Sequence, residues 1–203
     1  MISGGAKRVV LASGSASRRA MLDAAGVYYE AAPADVDEAA IRDAMLAEGA
    51  PPREIAAALA EAKARAIAAV HPDAIVIGSD SVVAVDGRLY EKPKSREDAA
   101  RHLSEFSGRE MRLTSAIAVV SDGAVAWQHV EDARLLVRPL STHFIASYLD
   151  AEWPDIAGCV GCFRMEGVGV QLFAQVQGNH FTILGMPLIP LLGYLRECRA
   201  LAA

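Results

Sequence analysis

The stretch "AIVIGSD", residues 74–80, decides how this chain is read. A short apolar, β-branched run followed by Gly-Ser-Asp reads as a buried strand that ends abruptly at Asp80. A carboxylate at the carboxyl end of such a strand matters, because ligand crevices in α/β folds form there. The ordinary alternative is a turn or helix-cap aspartate. Upstream, the longest helix of the chain begins after Pro51-Pro52 and runs to about Val70, where "HPD" ends it. Downstream, "VVAVDGRLY" reads as a hairpin around Asp86-Gly87, an Asp-Gly turn signal.

The same alternation extends outward in both directions. Residues 8–13, "RVVLAS", form an apolar strand, and Ser17 to Ala25 a short helix that Gly26 can stop. "VYYEAAP" is a second strand, followed by the polar segment "ADVDEAAIRDAMLAEGAPP". Ser95 is an N-cap, with Asp98 at the capping-box position, for a helix through Phe106. Residues 110–120 and 124–138 form a strand pair across "SDG", and Ser141 caps a helix to about Ala151. A glycine-rich region, 158–169, leads to a C-terminal helix opened by Pro187. The fold class is α/β: a mixed twisted sheet flanked by helices, expected as one domain over 1–203 with two lobes about a central cleft.

Composition narrows the function classes. With 203 residues, 53% apolar and 22% charged, the chain can bury a sizeable core and has a globular balance. Its formal net charge of −5 argues against a protein that coats DNA or RNA, while leaving room for a local basic pocket. The opening "MISGGAKR" has no apolar targeting segment and no run approaches a membrane span, so a cytoplasmic protein without membrane or nucleic-acid polymer partners is expected. Cys159 and Cys162 have CxxC spacing, but no second CxxC or paired histidines accompany them. They read as two small residues on a buried segment.

Several charged residues stand where packing does not ask for them. "SGSASRR", 13–19, places Ser13, Ser15 and Ser17 and then Arg18 and Arg19 at a strand-to-helix turn. Lys63 falls within the apolar stripe that Ile55, Leu59, Ala62, Ala66 and Val70 define on the long helix. Its ammonium must therefore snorkel to water or meet a fixed anion. Lys92 precedes a proline in "YEKPKS", and Glu38 follows Asp37 after the second strand. Together, Arg18, Arg19, Lys63 and Lys92 could neutralise a polyphosphate, and Glu38 and Asp80 could hold a hard divalent cation or activate water. That is equipment for phosphoryl or nucleotidyl hydrolysis, which needs charge shielding and a placed water more than a protein nucleophile. A Walker P-loop is not the source, because "GSASRR" lacks its pattern.

"LASGSASRRAML", "VDE", "ALAEAKA", "VIGSDSVVAVDGRLYEKP", "LSEFSGRE", "FRMEGVGVQLF" and "LGMPLIPLLGYL" occur in this order over roughly residues 8–196. The chain thereby resembles the Maf family, septum-formation-inhibitor-like nucleotide pyrophosphatases. The resemblance implies a fold similar to the inosine triphosphate pyrophosphatases. It also implies hydrolysis of a nucleoside triphosphate to monophosphate and pyrophosphate with a divalent metal (Mg²⁺, Mn²⁺ or Co²⁺). The family's phosphate-binding residues fall on Ser13, Ser15, Arg18, Arg19, Lys63 and Lys92, its acid on Glu38, and its catalytic aspartate on Asp80. Asp80 would then be general base or metal ligand, and Glu38 a metal ligand. A homodimer is a family-level expectation.

The family divides by base preference. "MEGVGV", with Glu166 where the dTTP/UTP branch has glutamine, and "GSD" both resemble the 7-methyl-GTP branch. Ser17 and Ser81 stand at positions that line the base site in the family, where that branch often has an aromatic and a glutamine. The expected activity is 7-methyl-GTP pyrophosphatase, with dTTP, UTP or a modified pyrimidine as the alternative substrate. A non-catalytic nucleotide-binding regulator of septum formation is the alternative from another class.

Overall fold

The alternation of strands and helices read from the sequence is present in the computed structural model, which describes residues 8–202. Residues 1–7, most of the opening stretch read above for a targeting segment, lie outside the described residues. Seven strands join in one mixed sheet: β1 (Val9–Leu11), β2 (Glu30–Ala31), β3 (Ile75–Val85), β4 (Arg88–Tyr90), β5 (Glu110–Ser121), β6 (Ala124–Val137) and β7 (Phe173–Gln177). Their order is β2-β1-β3-β5-β6-β7, with β4 paired to β3. Pairing of β1 with β2 and with β3 is parallel, whereas β3–β4 and β6–β7 are antiparallel. Among the described residues, no helix is long and apolar enough to cross a membrane.

The helices are α1 (Ala16–Ala24), α2 (Glu38–Ala47), α3 (Pro52–Ala68), α4 (Arg96–Phe106), α5 (Thr142–Glu152), α6 (His180–Ile183) and α7 (Leu188–Glu197). Their starts follow local chemistry. Ser95 and Ser141 accept from the backbone N–H groups of Asp98 and Phe144, as N-caps do. The Asp98 carboxylate reaches back to the Lys94 N–H, one residue beyond the position a capping box would use. Pro52 opens α3 at a position where its missing N–H costs nothing. Both tight hairpins carry an Asp-Gly pair at positive φ, Asp86-Gly87 and Asp122-Gly123, the conformation that matches strand twist.

Three sequence expectations need correction. β3 does not end at Asp80: it continues to Val85, because Val83–Val85 pair with Tyr90–Arg88 of β4. What ends near Asp80 is its neighbour, since the β1 ladder stops at Leu11↔Ile77. The polar segment after β2 is largely helix α2, capped by Asp37 through the Ala40 N–H at 2.9 Å. It buries no residue fully: its inward face is Glu38, Ile41, Arg42 and Met45, all half-buried and two of them charged, so the segment reads as polar. Likewise β7 and α6 follow the glycine-rich region, and every β7 residue after Phe173 is exposed.

The chain clusters into two compact units. The first comprises residues 8–80, 115–131 and 185–202, and the second 81–114 and 132–184. In the first, β1 and the start of β3 are buried along with Met21, Leu22, Ile55, Leu59, Leu191 and Leu195. In the second, Phe106, Met111, Leu113, Leu135, Leu149 and Ile156 centre one apolar core. Cys162 belongs to that core, fully buried with Sγ 3.6 Å from His102 Nδ1. Burial pushes its thiol up to about 12 and draws the His102 imidazole down, so both groups are neutral at physiological pH. Of the two cysteines read from the sequence as buried, Cys162 fills the core while Cys159 is only half-buried. Cys162 should therefore resist alkylation in the folded protein at about pH 8 and react only on unfolding, which mass-spectrometric thiol mapping with and without denaturant will show.

Candidate active site

Gly78 sets the distance between α3 and β3. A Cβ at this position would lie 2.1 Å from the Ala60 carbonyl oxygen and 2.7 Å from the Ala64 nitrogen, so helix backbone lies directly on strand backbone. Two residues on, Asp80 shares Gly78's face of the strand. Lys63 stands between Ala60 and Ala64 along the contacting face of α3. The buried stripe there is Ile55, Ala56, Leu59, Ala60, Lys63, Ala64 and Ile67. This corrects the sequence assignment: Ala62 and Ala66 are only half-buried, and Val70 is exposed beyond the helix end. Lys63 is central in the stripe, 7% exposed, and its ammonium cannot snorkel to water.

It meets fixed anions instead. Lys63 Nζ donates to Asp80 Oδ1 at 2.5 Å and pairs with Glu38 Oε1 at 2.9 Å. Asp80 is itself 7% exposed, while the Glu38 side chain is about one-third exposed. Glu38 is the first residue of α2, where the helix dipole favours a carboxylate. Three elements, α2, α3 and β3, thus each deliver one charged group to a single point.

The Ser13–Arg19 turn adds the fourth. Past the end of β1, the Ala12 N–H donates to the Ile77 carbonyl, which keeps the turn beside β3. Ser15 caps α1, its Oγ accepting from the Arg18 N–H at 3.4 Å, and the Ser15 N–H donates to Ser13 Oγ at 3.2 Å. The Arg18 guanidinium donates to Ser13 Oγ at 3.3 Å and to the Gly185 carbonyl at 2.8 Å. Burial lowers the Arg18 pKa, while the charges of Asp80 and Glu38 act in the opposite direction. An arginine remains a cation throughout. Ser13, Arg18, Glu38, Lys63 and Asp80 are therefore one electrostatic cluster within the first unit. Ser15 serves it by capping. Arg19 is exposed, its carbonyl accepting from the Tyr29 hydroxyl, and Ser17 is half-buried.

Two participants were not singled out from the sequence. Ser79 is fully buried and donates from Oγ to the Gly185 carbonyl at 3.1 Å, the acceptor that Arg18 also uses. Gly185 adopts φ +101°, which only glycine holds without strain. The signal available was Gly185 in "LGMP", two residues before a helix-opening proline.

The remaining site expectations fall in the second unit. Ser81 is half-buried, and Lys92 and Glu166 are exposed. Lys92 and Glu166 both lie near enough to Cys159 to act on its thiol, Lys92 lowering its pKa and Glu166 raising it, although burial dominates and raises it overall.

A family model described as "Maf-like protein" matches residues 8–198. The chain is 46% identical over 190 residues to a protein of Rhizobium etli named 7-methyl-GTP pyrophosphatase, covering 94% of this chain and 96% of that one. It is 48% identical over 189 residues to a protein of Sphingopyxis alaskensis named nucleoside triphosphate pyrophosphatase, covering 93% and 96%. A solved dITP/XTP pyrophosphatase of Mycobacterium abscessus aligns over 96% of both chains at 16% identity, with a TM-score of 0.44.

Because the atoms facing Gly78 are backbone and cannot move aside, Gly78→Ala should lower stability by roughly 3 kcal/mol. Gly193→Ala, in α7 with open space around the new Cβ, should raise it by about 0.5–1 kcal/mol. Urea unfolding of the two variants beside the parent protein checks both.

Proposed function

The chain belongs to the Maf family, and from that footing we propose that it hydrolyses the α–β bond of a nucleoside triphosphate, releasing the monophosphate and pyrophosphate. The observation that carries this reading is the Lys63 ammonium held between Asp80 and Glu38, with Arg18 beside them. Tight nucleotide binding alone has no use for two carboxylates next to the phosphate-binding cations. Hydrolysis does, because one of them can take the proton of an attacking water or hold a metal ion.

The donor set suits a hard divalent cation. Two carboxylates converge, and among the described residues no third His, Cys, Asp or Glu joins them as a metal cage. Mg²⁺ is bound in this way, by one or two carboxylates with substrate phosphates and waters completing the octahedron. Charge balance favours the same assignment. Arg18 and Lys63 offset Asp80 and Glu38, so these four residues alone give a polyanion no net positive field. Glu38 and Asp80 would hold the ion, which when bound supplies countercharge to the triphosphate and acidifies water.

The chain's own residues then have separable tasks. Arg18 is aimed by Ser13 and the Gly185 carbonyl, and with Arg19 it offers permanent charge to phosphate oxygens. Lys63 offers an ammonium that can move from carboxylate to phosphate. Backbone N–H groups at the start of α1 favour an anion. Asp80 serves as general base or metal ligand, and both roles use the carboxylate as an anion. Lys92 is assigned to phosphate by residue chemistry.

For the base, the reading is 7-methyl-GTP. A carboxylate at Glu166 accepts from the N1–H and N2–H₂ of guanine and balances the positive methylated ring, which a glutamine does not. Ser17 and Ser81 are the further positions assigned to the base.

Purified protein with Mg²⁺ or Mn²⁺ should release pyrophosphate from 7-methyl-GTP in preference to UTP and dTTP. Asp80→Asn should reduce that rate by roughly a thousandfold with native circular dichroism, and Glu166→Gln should narrow the base preference. Full activity of Asp80→Asn would contradict the assignment of the site. A pyrimidine preference would contradict the substrate, and binding without turnover across several metals would make the chain a regulator.

A further inference from the structure

Glu152 is the last residue of α5 and only 3% exposed. A carboxylate there faces the negative end of the helix dipole and loses its hydration, two costs that packing does not offset. Its hydrogen bonds go to one loop. Arg164 Nε donates to Glu152 Oε2 at 2.9 Å, and the Val168 N–H donates to Oε1 at 3.3 Å. Arg164 Nη1 also reaches Asp155 Oδ2 at 3.0 Å.

Both ends of the segment 164–168 are therefore tied to one buried carboxylate. Between them the Gly167 N–H donates to the Arg164 carbonyl at 3.2 Å, closing a turn with Glu166 exposed on it. There is no slack on either side. A Cβ at Gly169 would lie 2.5 Å from the Arg164 carbonyl oxygen, and one at Gly167 would lie 3.3 Å from Glu152 Oε1.

We infer that Glu152, acting through Arg164 and the Val168 N–H, is a positioning residue for base selection: it fixes the turn that presents Glu166 and never touches the nucleotide. The inference rests on the base-reading role given to Glu166 above. Paired acceptance from a purine edge needs the carboxylate placed to within a fraction of an ångström, and an untethered glycine-flanked turn would not hold it there. The seat of base selectivity accordingly extends to a helix end that makes no substrate contact.

Glu152→Gln keeps the shape and removes the charge, and Arg164→Gln is the milder, half-exposed partner change. Hydrogen exchange of the 165–168 amides and steady-state kinetics on 7-methyl-GTP and UTP are measured for each. Exchange should speed up by about tenfold or more, and the KM for 7-methyl-GTP should rise about tenfold with kcat within about twofold. UTP kinetics should change little, so selectivity falls. Arg164→Lys, which keeps a donor, should recover part of the loss, and the double glutamine variant should be no worse than either single one. Unchanged exchange would overturn the clamp whatever Glu166 does. Equal losses on both nucleotides, carried by kcat, would reduce Glu152 to a fold-stabilising role. If exchange rises but Glu166→Gln leaves base preference intact, the base reading itself fails and the inference falls with it.

Discussion

The contact of α3 backbone on β3 at Gly78 is the constraint from which the candidate site follows. No side chain fits at that position, so helix and strand approach as closely as main-chain atoms allow. The closeness carries Lys63 into a place from which its ammonium reaches Asp80 and Glu38 and little else. A buried cation between two carboxylates is poor value as a stabilising device, since desolvation consumes most of the attraction. Under the function proposed above, the arrangement has a use that stability does not give it: the three groups would meet a phosphate chain and its counterion.

The same logic separates residues that act from residues that aim. Arg18 would be free to follow α1 into solvent, as Arg19 does, but Ser13 and the Gly185 carbonyl hold it toward the carboxylates. Ser79 anchors that same carbonyl from inside the sheet. In the second unit, Glu152 stands to the 164–168 turn as Gly185 stands to Arg18. Both supporting groups lie on elements other than those they orient: Gly185 is 167 residues from Arg18, and Glu152 ends the helix that precedes its turn.

What was legible in the sequence was whatever local chemistry dictates. The caps at Ser95 and Ser141, both Asp-Gly hairpins and the long helix after Pro51-Pro52 are written in a few adjacent residues, and the structure has them. Lys63 was conspicuous because an ammonium in an apolar stripe needs a partner, but its partner could not be named, since that depends on which strand the stripe covers. Helix α2 is hard to read from the sequence because its half-buried face mixes Ile41 and Met45 with the charged Glu38 and Arg42. The end of β3 was misplaced because Ser79 and Asp80 look like a polar break, whereas both are buried. Their polarity is satisfied by Gly185 and Lys63, contacts that only the folded chain creates. Glu152 and Ser79 escaped notice for the same reason: nothing nearby in sequence marks a carboxylate or hydroxyl as buried.

The most direct test of the central claim is whether Lys63 and Asp80 act as one unit. Pyrophosphate release from 7-methyl-GTP would be measured for Lys63→Met, Asp80→Asn and the double variant at saturating metal. If the pair is the reacting centre, the double variant loses no more than the worse single one, because either change alone already dismantles the arrangement. Losses that multiply would show two residues working independently and would contradict the account.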